Sequence, residues 1–217
     1  MKAEKAKRIL AGMERHIHHD RIFLNNPVIM QGMGLAPLVI IATTGQNALM
    51  LCAAVVLLLT PSRLVSSLLF ARVNHPLARA VGYCCVSALV YIPVRMALGM
   101  VFGSSILKLG IYLPMLVVEP ILIYRFGRVA EPARKALGKG ARITVGYCLV
   151  LLLCGCLREF LALGTLFGVQ VVQMTGLLPV LQLPAGGFLL LGVICALWRA
   201  AVNGWKKYVT MEAKNGL

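Results

Sequence analysis

The amino-acid sequence predicts an all-α integral membrane protein with six transmembrane helices in a 3+3 inverted repeat, whose first and fourth helices are broken. Three observations predict this fold: the apolar composition, the length and spacing of the apolar segments, and the distribution of lysine and arginine between them. Of the 217 residues, 59% are hydrophobic and 13% are charged, and the mean hydropathy is +0.85. Soluble domains carry about 25% charged residues, so this chain needs a bilayer to cover its apolar surface.

The apolar segments have the length that a bilayer requires. A spanning helix needs about 20 mostly apolar residues, because the hydrocarbon core is about 30 Å thick. Six segments are candidates: 27–44, 46–69, 77–102, 109–126, 140–162 and 184–205. Gly32, Gly34 and Pro37 interrupt the first, and the fourth carries Glu119 and Pro120. Interrupted segments in corresponding positions indicate an inverted repeat, with halves of about 27–102 and 109–208 and a functional site between them.

The basic residues set the orientation of the six segments. Of the 22 lysines and arginines, 19 are counted with the connections and ends on one side, among them Arg63 and Arg79. Lys108 and Arg158 fall on the other side, and Arg95 lies inside the third span. Basic residues accumulate on the cytoplasmic side, so both termini are expected in the cytoplasm. The net charge of +15 does not indicate nucleic-acid binding, because these residues form short runs between apolar segments and aromatic residues make up only 7%.

The two ends of the chain are expected to lie outside the bilayer. Residues 1–26 alternate apolar and basic side chains in a pattern typical of an amphipathic helix on the cytoplasmic membrane surface. Residues 27–208 form one six-helix domain, and residues 209–217 form a short cytoplasmic tail. The seven cysteines fall almost entirely in apolar segments, which favours packing over a disulfide framework.

Three charged residues are candidates for an ion or proton pathway. Glu119 lies near mid-bilayer, where a carboxylate is costly unless it is paired, protonated or hydrated, and such residues are often functional. Arg95 is the natural partner of Glu119. Glu159, near the outer end of the fifth span, is an alternative partner for Arg95. The other interpretation of Glu119 is a structural carboxylate, and the sequence leaves both open. No catalytic residue set and no metal site are predicted.

Several stretches resemble one family of membrane proteins. They are NNPVIMQGMGLAPL (25–38), TTGQNAL (43–49), YLPMLVVEPILIYR (112–125), CLREFLALGTLFG (156–168) and LPAGGFLLLG (183–192). These stretches look like the paired six-helix membrane subunits of the Rnf and Nqr respiratory complexes. The last two favour the E subunit of Rnf, which corresponds to the D subunit of the sodium-translocating NADH:quinone oxidoreductase.

The resemblance implies a cofactor that this sequence is poorly suited to hold. In that family two such subunits share a [2Fe-2S] cluster, and each supplies one cysteine from each broken helix. Here Ala36 and Pro120 occupy the two cysteine positions. Iron–sulfur clusters are held by thiolates, which neither residue provides. No cofactor is therefore predicted for this chain.

The resemblance implies a function as a membrane subunit of an Rnf/Nqr-like ion-translocating electron transport complex, or a divergent paralogue without the cluster. Any enzymatic role is at most that of a non-catalytic subunit of a redox-driven ion translocase. The expected partners are membrane lipid, a homologous six-helix subunit and the other subunits of the complex, and the expected location is the bacterial inner membrane. The alternative is a stand-alone secondary transporter of an ion or small solute on the same scaffold.

Overall fold

The computed structural model describes residues 22–32, 34–70, 72–73, 75–118, 133–172 and 177–214. Within these ranges the chain is helical apart from one short β-hairpin and the connections. The α-helices are α1 (Pro27–Gln31), α2 (Leu35–Ile40), α3 (Gly45–Leu69), α4 (Pro76–Phe102), α5 (Tyr112–Met115), α6 (Ala133–Leu163) and α7 (Pro184–Lys214). Short 3₁₀ helices lie at Gly103–Leu109, Leu116–Val118 and Pro179–Gln182, and the strands are β1 (Thr165–Leu166) and β2 (Val169–Gln170).

Four of these helices are long and apolar enough to cross a membrane. The spanning stretches are Gly45–Leu69, Leu77–Leu109, Leu137–Leu163 and Pro184–Met211. They correspond to the predicted second, third, fifth and sixth spans. The prediction of long apolar helices that can span a membrane is therefore confirmed for these four segments. Helix α7 continues to Lys214, into the stretch that was predicted as a tail. The predicted N-terminal amphipathic segment lies outside the described residues up to residue 21.

The first apolar segment is divided into two short helices. Gly32 and Gly34 between α1 and α2 have φ angles of +66° and +72°, a backbone conformation that glycine adopts without a steric penalty. The predicted interruption at these glycines is therefore present. Pro37 does not contribute to it, because it lies in the first turn of α2, where a missing N–H removes no helical hydrogen bond.

The fourth apolar segment is described only in part. Its first residues form α5 and the short 3₁₀ helix that follows it. Residues 119–132, which include Glu119 and Pro120, lie outside the described residues.

Among the described helices, the most extensive contact is between α3 and α6, which run antiparallel. Gly155 of α6 lies against the start of α3, where an added Cβ would be 2.6 Å from the Ala48 Cβ and 3.0 Å from the Thr44 carbonyl oxygen. Further along, Cys148 of α6 faces Cys52 of α3. Small residues at a helix contact allow this close approach within a membrane.

The core residues of this pair are almost fully buried. Helices α4 and α7 pack against the pair and carry large apolar side chains that are exposed on the outside of the bundle. Leu51 and Leu151 are each 0% exposed, whereas Met100 of α4 is 84% exposed and Leu189 of α7 is 70% exposed. Such surfaces require lipid or another apolar partner.

Two arginines that were counted with the connection between the second and third spans lie within the helices that form these spans. Arg63 belongs to α3 and Arg79 to α4, and both side chains are buried. Arg63 packs where Gly140 of α6 leaves space, since an added Cβ there would be 2.7 Å from its guanidinium. Both residues remain near the helix ends where the charge distribution placed them.

Candidate functional site

Two buried charged residues at the end of α6 connect α6 to the start of α3 and the end of α2. Arg158 and Glu159 are adjacent in sequence, and each is only 1% exposed. We refer to these two residues as the α6 clamp. Charged side chains are rarely buried this deeply without partners, so their contacts determine what the clamp does.

Glu159 accepts hydrogen bonds from two backbone segments. Its Oε2 accepts from the Gly45 amide at 2.7 Å, and its Oε1 accepts from the Gly168 amide at 2.7 Å and the Thr165 hydroxyl at 3.0 Å. Gly45 is the first residue of α3, where free N–H groups favour a negative charge. The carboxylate therefore joins the N-terminus of α3 to the β-hairpin.

The β-hairpin presents its amide to Glu159 because of its tight turn. Strands β1 and β2 pair antiparallel around Phe167 and Gly168, whose φ angles are +53° and +81°. Positive φ at both central residues is the geometry of a two-residue hairpin turn. The sequence did not predict this hairpin, since its strands are only two residues long.

Arg158 donates to carbonyl groups from two other segments. Its Nη1 donates to the carbonyls of Val39, at the end of α2, and of Ala42, the latter at 3.3 Å. Its Nε and Nη2 donate to carbonyls at the end of the 3₁₀ helix before α7 and directly after it: Leu181 at 2.8 Å, Gln182 at 3.3 Å and Leu183 at 3.4 Å. The carbonyls at the end of α2 lack helical partners, and a planar guanidinium with five donors can serve several of them.

A glycine in α7 makes room for the guanidinium. An added Cβ at Gly187 would lie 3.0 Å from the Arg158 Cζ and 3.0 Å from the Val39 carbonyl oxygen. The motif stretches at 43–49, 156–168 and 183–192 therefore meet at one end of the bundle, beside Val39, the residue that follows the stretch at 25–38. The sequence had counted Arg158 only as a single charge on the outer side. Its position beside Glu159 in an apolar segment was the available signal.

The part of the broken first segment before and within the break is held by α6 and α7. The Tyr147 hydroxyl donates to the Gly34 carbonyl at 2.9 Å, inside the break. Arg199 of α7 donates to the Ile29 carbonyl from Nε at 3.2 Å and from Nη2 at 3.0 Å. Asn26 donates to the Gly146 carbonyl at 2.9 Å. Because hydrocarbon supplies no hydrogen bonds, a broken helix in a membrane needs such partners from neighbouring helices.

The predicted pathway residues are not brought together among the described residues. Arg95 is half-buried on α4, and its predicted partner Glu119 lies outside the described residues. The described contacts of Glu159 are to Gly45, Thr165 and Gly168, and none is to Arg95. The pairing of Arg95 with Glu119 thus stays a prediction.

The residues at the former cluster positions do not fit an iron–sulfur cluster. Ala36 lies half-buried in the first turn of α2, directly after the break, and offers only a methyl group. Pro120 lies outside the described residues. In the part of the chain that the structure describes, no three His, Cys, Asp or Glu side chains gather as a metal site would require.

The apolar spanning helices, the broken first segment and the buried charged residues that hold it define a multi-pass integral membrane protein. Residues 15–195 match the family described as "Rnf-Nqr subunit, membrane protein", and the chain belongs to this family. The resemblance seen in the sequence motifs is therefore confirmed.

The relatives specify the type of membrane component. The chain is 32% identical over 199 residues to the E subunit of the ion-translocating oxidoreductase complex of Shewanella oneidensis, covering 84% of this chain and 85% of that protein. It is 33% identical over 200 residues to the protein of the same name from Thioalkalivibrio sulfidiphilus, covering 84% of this chain and 87% of that protein.

Proposed function

We propose that this chain is the E-type membrane component of an Rnf-type ion-translocating oxidoreductase complex. The observation that carries the proposal is the convergence of the family-like stretches on the broken first segment, where the α6 clamp holds its outer end. The relatives with this name match along nearly their whole length, so the scaffold as a whole is shared. The role follows from membership in a multi-subunit complex rather than from a catalytic site of its own.

The proposed topology has six spans in a 3+3 inverted repeat, with the first and fourth spans broken. The division of the first apolar segment into α1 and α2 supports a break in the first half. The antiparallel packing of α3 and α6 supports opposite directions for the two helices, as the charge distribution requires. With the basic ends inside, both termini lie in the cytoplasm and the domain 27–208 spans the inner membrane of a bacterium.

The proposed partners are lipid, a homologous six-helix subunit and the other subunits of the complex. The exposed apolar side chains of α4 and α7 supply surfaces that lipid or another membrane protein of the complex can cover. Interfaces between membrane helices need apolar and small side chains, both of which these helices present.

The proposed contribution of the broken segment is an ion or proton pathway rather than cluster binding. Ala36 has no donor atom, so this chain does not supply a cluster ligand at that position. Arg95, Glu119 and Glu159 are the candidate pathway residues. The described hydrogen-bond partners of Glu159 are all donors, which suits an ionised carboxylate that fixes the outer end of the pathway.

The test is purification of the affinity-tagged chain from the membranes of its native host. We expect oxidoreductase subunits to co-purify, to be identified by mass spectrometry, and the purified complex to drive ion uptake into vesicles when it is supplied with a reductant. A tagged, unrelated multi-pass protein from the same membranes is the control. A chain that purifies alone and transports a solute without a reductant would instead support the stand-alone transporter.

A further inference from the structure

Two cysteines face each other across the contact between α3 and α6. The Cys52 Sγ of α3 lies 3.6 Å from the Cys148 carbonyl oxygen, and the Cys148 Sγ of α6 lies 3.8 Å from the Cys52 carbonyl oxygen. Each sulfur therefore already lies beside the backbone of the other residue.

The reciprocal contacts show that the two side chains extend towards each other across the α3–α6 interface. A disulfide requires Cβ atoms about 3.5–4.5 Å apart and side chains that point towards each other. Because each thiol reaches the backbone of the opposite residue, side-chain rotation can bring the sulfurs together without separating α3 from α6. Close packing at Gly155, less than two turns along the same interface, holds the two backbones near each other.

Neither cysteine is fully buried. Cys52 and Cys148 are half-buried, whereas Cys154 on the same helix is buried. The pair is also next to the broken first segment, since Tyr147, the neighbour of Cys148, donates to the Gly34 carbonyl. A lipid-soluble reactant can therefore approach the pair at the edge of the α3–α6 interface.

We propose that Cys52 and Cys148 form a dithiol redox site that converts reversibly to an interhelical disulfide, with a membrane quinone as the class of electron acceptor. Two S–H bonds break and one S–S bond forms, and the two electrons and two protons pass to the two oxygen atoms of the quinone, which becomes a quinol. The thiols and the disulfide are both neutral, so the reaction leaves no charge in the hydrocarbon, where a charge is costly. The proposal does not depend on membership of a complex.

The consequence of oxidation is a covalent link between the two helices that form the core. Helix α6 carries Tyr147 and the α6 clamp, which together hold the broken segment. A disulfide would fix α3 to α6 beside that segment and limit their relative movement. The redox state of the pair would thereby control the mobility of the broken segment.

The test counts free thiols in the full chain in native membranes. The membranes are incubated with a short-chain quinone, the remaining thiols are alkylated under denaturing conditions, and the digested peptides are analysed by mass spectrometry. We expect two fewer alkylated cysteines than the seven of the untreated chain, a peptide pair linked through Cys52 and Cys148, and full recovery with dithiothreitol.

Serine variants identify which cysteines lose their free thiols on oxidation. Cys52→Ser and Cys148→Ser should each lose no thiol on treatment, whereas Cys156→Ser, a half-buried control on the same helix, should still lose two. The proposal is overturned if the wild-type chain keeps all its thiols, if the link joins other cysteines, or if the loss cannot be reversed by dithiothreitol. The alanine variants at 52 and 148 repeat the assignment if a serine variant fails to fold.

Discussion

Arg158 and Glu159, neighbours on one turn of α6, bind opposite ends of the connection between α2 and α3. The arginine donates to the Val39 and Ala42 carbonyls, and the glutamate accepts from the Gly45 amide. Positive charge thus meets the free carbonyls at the end of one helix, and negative charge meets the free amides at the start of the next. The direction of the broken segment is fixed by this arrangement of charges.

Replacing Arg158 with alanine should strongly destabilise the protein. The change leaves buried carbonyls of α2 and of the segment before α7 without a donor, at a cost of about 1–3 kcal/mol for each unsatisfied group. Arg158→Lys should restore little of this, because an ammonium group lacks the planar fork that reaches both segments. Size-exclusion chromatography after heating in detergent measures the Tm, with Arg72→Ala, at an exposed position, as the control. A Tm equal to that of Arg72→Ala would contradict the assigned role.

Replacing Glu159 with glutamine should destabilise the fold nearly as much as replacing it with alanine. Both carboxylate oxygens accept from donors, so the amide nitrogen of glutamine would face N–H or O–H groups and leave at least one buried donor unsatisfied. The expected cost is about 1–3 kcal/mol, seen as a lower Tm in the same heating assay. A Glu159→Gln variant with wild-type Tm and lost ion uptake would instead indicate a group that transfers protons.

Removing the Tyr147 hydroxyl should loosen the break in the first segment. Tyr147→Phe loses the hydrogen bond to the Gly34 carbonyl, and the expected cost is about 1 kcal/mol or more, because that carbonyl is buried. Amide hydrogen exchange measured by mass spectrometry should rise in peptides that cover the break and stay unchanged in α4. Tyr91→Phe, a half-buried position on α4, is the matched control. Equal exchange in both variants would refute the predicted role of the hydroxyl.

Replacing Gly155 or Gly187 with alanine should destabilise the fold, whereas replacing Gly192 with alanine should not. Gly155→Ala would place Cβ 2.6 Å from the Ala48 Cβ, and Gly187→Ala would place it 3.0 Å from the Arg158 guanidinium. Overpacking of this kind costs about 1–3 kcal/mol. Nothing lies within 4 Å of a Cβ at Gly192 of α7, so Gly192→Ala should keep or slightly raise the Tm. A similar Tm for all three variants would be inconsistent with the close helix contacts described.

The sequence predicted the helices better than the site. Long apolar segments identify α3, α4, α6 and α7 because spanning length and composition are local properties. The break was also predictable, since Gly32 and Gly34 provide the positive φ angles. The partners of Arg158 were not, because its contact with Val39 joins residues 119 positions apart, and no local pattern reports such a contact.

The sequence also could not show which partners the individual charged residues contact. Arg158 looked like one of two basic residues on the outer side, yet it is buried and bound to carbonyls. Glu159 looked like a second candidate partner for Arg95, yet its described contacts are backbone amides and a hydroxyl. Sequence can locate a charge along a span, whereas burial and partners depend on how distant segments pack.

The pairing of Arg95 with Glu119 can be tested by comparing two single variants with the double variant. If the two side chains form an ion pair within the bilayer, Arg95→Ala or Glu119→Ala alone leaves an uncompensated charge, whereas the double variant removes both. We therefore expect each single variant to express poorly in membranes and the double variant to recover in amount and in Tm. Arg142→Ala, at an exposed position of α6, controls for the loss of one basic residue. A double variant no better than the worse single variant would show that the two residues act separately.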